Sequence, residues 1–266
     1  MAIIYNLDKV NPSLVAQIHA SPKFSKWFSE KPDQMLRLDG STKVIKGNKL
    51  GYRTAIVYLS PSNMSGQQLC PNAKLAGCEA ACLNTSGRGA MTGVQMSRLR
   101  KALFWQQYRD ETIALIKHEI ALAEKQSARE GWTLLVRLNG TSDIRWENYA
   151  IIQAFPNVQF YDYTKLANRK NIPANYDLTF SYSGIASFQS TVQKAIASNQ
   201  RMAVVFRHKA KVQNMLANQE TFMGLTVVDG DDTDIRHLDP QASVVALYAK
   251  GKAKTDQSGF VVTIAA

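Results

Sequence analysis

The sequence predicts an α/β fold: a full or partial (β/α) barrel with mainly parallel strands and a short N-terminal extension. Two observations carry this. Apolar, strand-like runs alternate with helical or connecting segments, a pattern that demands right-handed crossovers and a mainly parallel sheet. Polar and charged residues then collect directly behind those runs, as they do where the carboxyl ends of barrel strands converge on one face. An open doubly wound sheet is the competing arrangement.

The elements follow in order. Residues 1–50, with "NPSLVAQIHASPKFSKWF", read as short helices and turns packed on the main body, because Trp27 and Phe28 need cover. Residues 51–266 form the barrel-like unit, opened by the buried strand "YRTAIVYLS" at 52–60. Leu99, Leu103, Ile113, Ile116 and Ile120 then fall at helical spacing, and Gly131 supplies a stop, so one long helix or two are expected. Six further strands are predicted at "WTLLVRLNG", "VQFYDYT", "YDLTFSYS", "RMAVVFRH", "GLTVVDGD" and "SVVALYAKG". Segments such as "WENYAIIQAF" and "SFQSTVQKAIASN" connect them.

Composition narrows the class. The 266 residues carry 32 Lys plus Arg against 21 Asp plus Glu, a formal charge of +11, which makes nucleic acid or a nucleotide a plausible partner. The densest basic clusters are "RLRK" (98–101) and "RHKAK" (207–211), and aromatics beside basic residues in "FWQQYR" could stack on bases or belong to a core. No apolar run approaches the roughly 20 residues that cross a bilayer, and the N-terminus does not read as a secretory signal. A soluble, intracellular protein with reduced thiols is expected.

All three cysteines, Cys70, Cys78 and Cys82, lie in one loop of small residues behind the first long strand. The C-x7-C-x3-C spacing lets three thiolates converge on one centre. Without a local fourth ligand they suit a [4Fe–4S] cluster that leaves one iron open. Structural zinc with a distant His118, His208 or His237 is the alternative, as is simple packing of the thiols as small hydrophobes. Gly77, Ala80 and Ala81 would let backbone approach a bulky cluster, and "SGRG" would offer amides and Arg88 to an anion. With a cluster there, Asn139, Ser142 and Asp143 would be placed to bind a polar cofactor, with Ser181 and Ser183 one strand further round. A rival centre is Mg²⁺ for phosphodiester chemistry, held by Asp229, Asp231, Asp232 and Asp234 with Asp143 or Asp162. The two differ in geometry: the first needs the cysteine loop and the ends of "VRLNGTSD" and "TFSYS" to surround one pocket, the second needs converging carboxylates.

The succession "CPNAKLAGCEAACLNTSGRG", "RLNGTSDIRWE", "FYDYTK", "LTFSYS" and "VDGDDTDIRHLDP…VVALYAKGKA" resembles the phage protein family known as gene product 88, from about residue 50 onward. That resemblance implies a bacteriophage or prophage origin, and so the cytoplasm of a bacterial host, more than an activity. The layout is also similar to radical S-adenosylmethionine enzymes, in which three cysteines bind a [4Fe–4S] cluster whose open iron chelates S-adenosylmethionine. By that likeness Cys70, Cys78 and Cys82 take the ligand role, although their spacing differs from the superfamily's usual C-x3-C-x2-C. A basic nucleic-acid-binding replication protein with a structural metal, or a magnesium-dependent nuclease, is the alternative function.

Overall fold

The computed structural model describes residues 3–264. Two short helices open the chain, α1 (Pro12–His19) and α2 (Pro22–Trp27). Each has a side-chain cap, Asn11 or Ser21, followed by a proline whose fixed φ suits the first helical position. Leu14, Ile18 and Phe28 join the main core. Strand β1 (Leu36–Leu38) comes next, so the segment expected as an extension contributes an edge strand to the sheet. Glu119 accepts the Met35 and Leu36 amides at 2.9 and 2.6 Å, occupying donors that an edge strand would otherwise present.

After the short α3 (Thr42–Ile45) come β2 (Tyr52–Val57), α4 (Thr92–Gln107), α5 (Arg109–Arg129), β3 (Thr133–Arg137), β4 (Gln159–Thr164), β5 (Tyr176–Ser181), α6 (Gln189–Ala197), β6 (Met202–Phe206), α7 (Lys209–Ala217), β7 (Thr221–Phe222), β8 (Leu225–Asp229) and β9 (Ser243–Tyr248). All seven expected strands form. The long helical stretch is two helices, broken at Tyr108 (φ −133°, ψ 63°). "WENYAIIQAF" forms 3₁₀ turns instead of a helix, interrupted by Ala150 at φ 50°.

The sheet runs β1-β2-β3-β4-β5-β6-β9-β8-β7, parallel throughout except at its edge pairs β1–β2 and β7–β8. It is open, because β1 and β7 are its two edges, so a closed barrel is not formed. From β2 to β6 each strand lies beside its predecessor in the same direction. Right-handed crossovers then put every connection on one face, which is not the doubly wound plan.

The residue alternation agrees. Ala55, Val57, Leu134, Val136 and Phe160 pack with Leu99, Leu103, Ile116 and Ile120 of α4 and α5, and Phe180, Val204, Phe206, Val244 and Ala246 pack with α6 and α7. One step reverses direction: β9 inserts between β6 and β8, so the β8–β9 connection must cross the opposite face. There Ile235 packs against Leu135 and Tyr161, covering the side that the helices leave bare.

Candidate metal centre

The cysteine loop leaves the carboxyl end of β2 and is stitched to the ends of the next three strands. Asp143 N, beyond β3, donates to Leu69 O at 2.8 Å. Asn72 Nδ2 donates to the carbonyl of Lys165, the residue after β4, at 3.0 Å. Ser183 Oγ, beyond β5, donates to Ala76 O at 2.8 Å. Gly140 closes the seam with β2: its amide meets Val57 O at 3.0 Å, and a Cβ there would sit 2.7 Å from that oxygen. A fourth wall is Ala249, Ala253, Phe260 and Val261, which pack on Ala81 and Cys78. The loop therefore lies on the carboxyl face, beside the ends of "VRLNGTSD" and "TFSYS".

Burial pushes all three thiols up, Cys70 to about 12, and the charge of neighbouring thiolates adds to the rise at Cys70 and Cys78. Opposing this, Ser62 N donates to Cys70 Sγ at 3.4 Å and Asn84 N to Cys82 Sγ at 3.5 Å. The Lys165 ammonium favours the Cys78 thiolate, and Arg98 favours that of Cys82. The sulfurs thus feel one another's charge, yet among the described residues no three His, Cys, Asp or Glu side chains form a ready metal-ligand set. His237 is not a fourth ligand to them; it packs on Tyr52 and Tyr161 across the sheet. His118 and His208 are exposed.

The other expected cofactor residues divide. Asn139 and Ser142 are buried and spent on their own loop. Asn139 Oδ1 accepts Ser142 Oγ, Ile144 N and Trp146 Nε1 at 2.8–3.0 Å, and its Nδ2 donates to Ile144 O. Ser183 is held by Ala76, as above, and Arg88 is exposed on the 3₁₀ turn Gly87–Ala90. Asp143 is buried, accepts Lys165 N at 2.8 Å and lies 3.8 Å from Arg169; burial raises its pKa.

Ser181 leads to a residue that sequence reasoning missed. Lys165 Nζ donates to Ser181 Oγ and Ser181 O, both at 2.9 Å, and lies 4.9 Å from the Phe260 ring centroid. Burial lowers its pKa, while Cys78, Asp143 and Cys70 work the other way. A lysine directly behind a strand, in "YDYTK", was the visible clue.

A family model described as Gene product 88 matches residues 35–264. The chain belongs to the Gene product 88 family. The matched region begins at β1 and takes in the whole sheet, the cysteine loop and its walls, and membership supports a phage origin. Comparison with curated proteins and with solved structures returned no match. Among the described residues no helix is long and apolar enough to cross a membrane.

The aspartates of this Gene product 88 chain do not gather as a Mg²⁺ site would need. Asp234 accepts Arg137 Nη1 at 2.5 Å and lies 3.3 Å from Lys43 Nζ. Asp231 accepts Lys250 Nζ at 2.9 Å. Asp162 accepts the amides of Leu138 and Asn139 and the Tyr176 hydroxyl at 3.0–3.2 Å, and burial raises its pKa to about 6. These carboxylates anchor the β8–β9 connection and the strand ends.

The basic cluster "RLRK" is also largely internal, while His208 and Lys209 of "RHKAK" are exposed. Arg98 Nη1 donates to Asn84 Oδ1 at 2.5 Å, Arg100 Nη1 to Trp27 O at 3.2 Å and Lys101 Nζ to Met35 O at 3.0 Å. Burial lowers the Lys101 pKa to about 8. Phe104 and Trp105 of "FWQQYR" are core residues.

Proposed function

We propose that this chain holds a [4Fe–4S] cluster on Cys70, Cys78 and Cys82, with S-adenosylmethionine at the iron no cysteine takes, and that it acts on a nucleotide or nucleic acid in the cytoplasm of a bacterial host. The observation that carries the reading is the stitching of the thiol loop to the carboxyl ends of β3, β4 and β5. It brings Cys70 and Cys78 into the field of Lys165, together with Asp143 and Ser181, which supports a site where a cofactor and a substrate could meet.

The donor types suit the group, and the three thiols would have to draw together to hold it. Three thiols with no nearby histidine suit a cluster better than a closed tetrahedral zinc site, and amide donors to two of the sulfurs are of the kind that tune such clusters. When bound, the cluster and S-adenosylmethionine would supply one-electron chemistry leading to hydrogen-atom abstraction. The chain's own part is to hold and shield. Lys165 would set an ammonium near Cys70 and Cys78, Phe260 and Val261 would exclude water, and Ser181 and Asp143 would shape the polar side, with Asn139, Ser142 and Ser183 fixing the loops behind them. Arg88 stands at the rim, adjoining the turn Gly251–Thr255 through the close approach of Gly251 to Ser86. That turn exposes Lys252 and Lys254, so the rim suits a polyanion.

Anaerobic purification with iron, sulfide and zinc analysis and an absorption spectrum tests the reading. Iron and sulfide in equal amounts, lost in Cys70→Ser, Cys78→Ser and Cys82→Ser alike, are expected. Stoichiometric zinc without iron would make the centre a structural staple. Metal content unchanged in the serine variants would remove the cysteines as ligands.

A further inference from the structure

A cleft of about 400 Å³ opens on the outer side of the thiol loop. Its lining includes Leu69 and Pro71, the neighbours of Cys70 on either side, and Asp143, so it adjoins the candidate centre without containing a cysteine. Its volume is within the range of ordinary small-molecule sites.

Two arginines lie in it, and they differ in a useful way. Arg109 is locked. Its Nε donates to Trp105 O at 2.8 Å, its Nη1 donates to the Tyr149 hydroxyl at 2.9 Å, and its guanidinium lies 3.8 Å from the Trp105 ring centroid. Nη2 has no such bond and remains for a ligand. Arg145 is exposed on the facing loop. Neither arginine is in an ion pair among the described residues.

The one carboxylate in the lining is partly committed: Asp143 Oδ2 accepts Lys165 N, and Oδ1 lies 3.8 Å from Arg169 without a hydrogen bond. A planar guanidinium whose position is fixed before a ligand arrives, beside a second free one, is the arrangement that recognises phosphate by paired, charge-assisted hydrogen bonds. The half-buried Tyr149 ring supplies an aromatic surface next to them. The cleft also connects to the thiols: Gln68, another lining residue, accepts the Cys70 amide at 3.0 Å and donates to Ser62, whose amide in turn bonds Cys70 Sγ.

We infer that this cleft binds the phosphate of a nucleotide through Arg109 and Arg145, holding the ligand beside the cysteine loop. The inference rests on the nucleotide part of the proposed function and not on its metal.

The test is titration of the full chain, at low salt, with deoxyadenosine monophosphate, adenosine, inorganic phosphate and a short single-stranded oligonucleotide, read by calorimetry and by tryptophan fluorescence. The mononucleotide should bind at least tenfold more tightly than adenosine, which lacks the phosphate, and more tightly than inorganic phosphate, which lacks the base. Arg145→Ala should weaken it about tenfold with the melting temperature unchanged. Arg109→Lys, which keeps the charge but loses the fork, should weaken it severalfold.

Equal binding of nucleotide and nucleoside, wild-type affinity in Arg145→Ala, or binding of the oligonucleotide alone would each overturn the inference. So would equal affinity for inorganic phosphate. Repeating the titration in Cys78→Ser separates the two readings, because the cleft's lining does not include that cysteine and its affinity should persist there even if the metal assignment fails.

Discussion

Replacing Asp234 by Asn isolates the charge that fixes the β8–β9 connection across the sheet. Arg137 projects from β3 with its side chain only 10% exposed, and Asp234, itself 6% exposed, is its close counter-ion. The carboxyl is held near 2 instead of 3.8; burial alone would raise it, and Arg137 followed by Lys43 and Arg236 more than offset that. At 1.36 kcal/mol per pH unit this difference corresponds to roughly 2.5 kcal/mol.

A Coulomb estimate of about 4 kcal/mol for unit charges ~4 Å apart at an effective dielectric of 20 gives a similar size. Asp234→Asn also leaves Arg137 buried without its closest counter-charge, so a loss of about 3 kcal/mol is expected in urea unfolding at pH 7, with the denaturant slope unchanged. Because the folded carboxyl is depressed, its contribution is present above pH 4 and disappears as pH falls toward 2. The gap between wild type and variant should close over that window. A loss below about 1 kcal/mol at pH 7, or a gap that does not narrow in acid, would refute the reasoning. The pair Arg137→Met with Asp234→Leu should recover much of the loss, since a buried ion pair can be replaced by apolar packing.

Two further outcomes follow from the loop and the rim. Gly77→Ala places a Cβ at φ +65°, 2.8 Å from Ser258 Oγ and against Ile185, so it should cost more than the ~1–2 kcal/mol of a left-handed non-glycine residue and lower the metal content; Gly87→Ala, with φ +52° but open space, should cost only the backbone share. Single-stranded oligonucleotide binding should weaken steeply with salt, and Lys252→Glu with Lys254→Glu should reduce it in a normally folded protein. Replacing Arg98, Arg100 and Lys101 together should instead lower the melting temperature, and binding unaffected by the rim variants would place the contact elsewhere.

The sheet was legible because its seven long strands are apolar runs, and buried parallel strands have little else to show. β1 and β7 were not, being three and two residues long. Helix α7, "KAKVQNMLA", has too few apolar residues to declare a period, and its two buried ones, Val212 and Met215, only suffice once β6, β8 and β9 are beneath them.

The cysteine loop's position could be read from its place after β2, but its stitches could not. Ser183 and Ala76 are 107 positions apart, and Arg137 and Asp234 are 97 apart, so one sequence gives no hint that either pair meets. The cluster "RLRK" misled for a local reason. Arginine and lysine stems can lie along apolar surface while their heads find carbonyl oxygens, and α4 uses three in succession to tie the N-terminal segments and the cysteine loop to the core.

The insertion of β9 between β6 and β8 bears on the order in which the molecule can be finished. A ribosome delivers the cysteine loop and the ends of β3, β4 and β5 well before residues 243–262, and domains tend to organise from the part synthesised first. Until β9 arrives, β6 has no neighbour on one side, and Ala249, Ala253, Phe260 and Val261 have not yet closed over Ala81 and Cys78. Through most of translation the thiols are therefore reachable from the side that later becomes a wall. Delivery of any inorganic centre would be easiest in that interval, and a chain truncated before residue 243 would keep its three cysteines but lose the door that shuts on them.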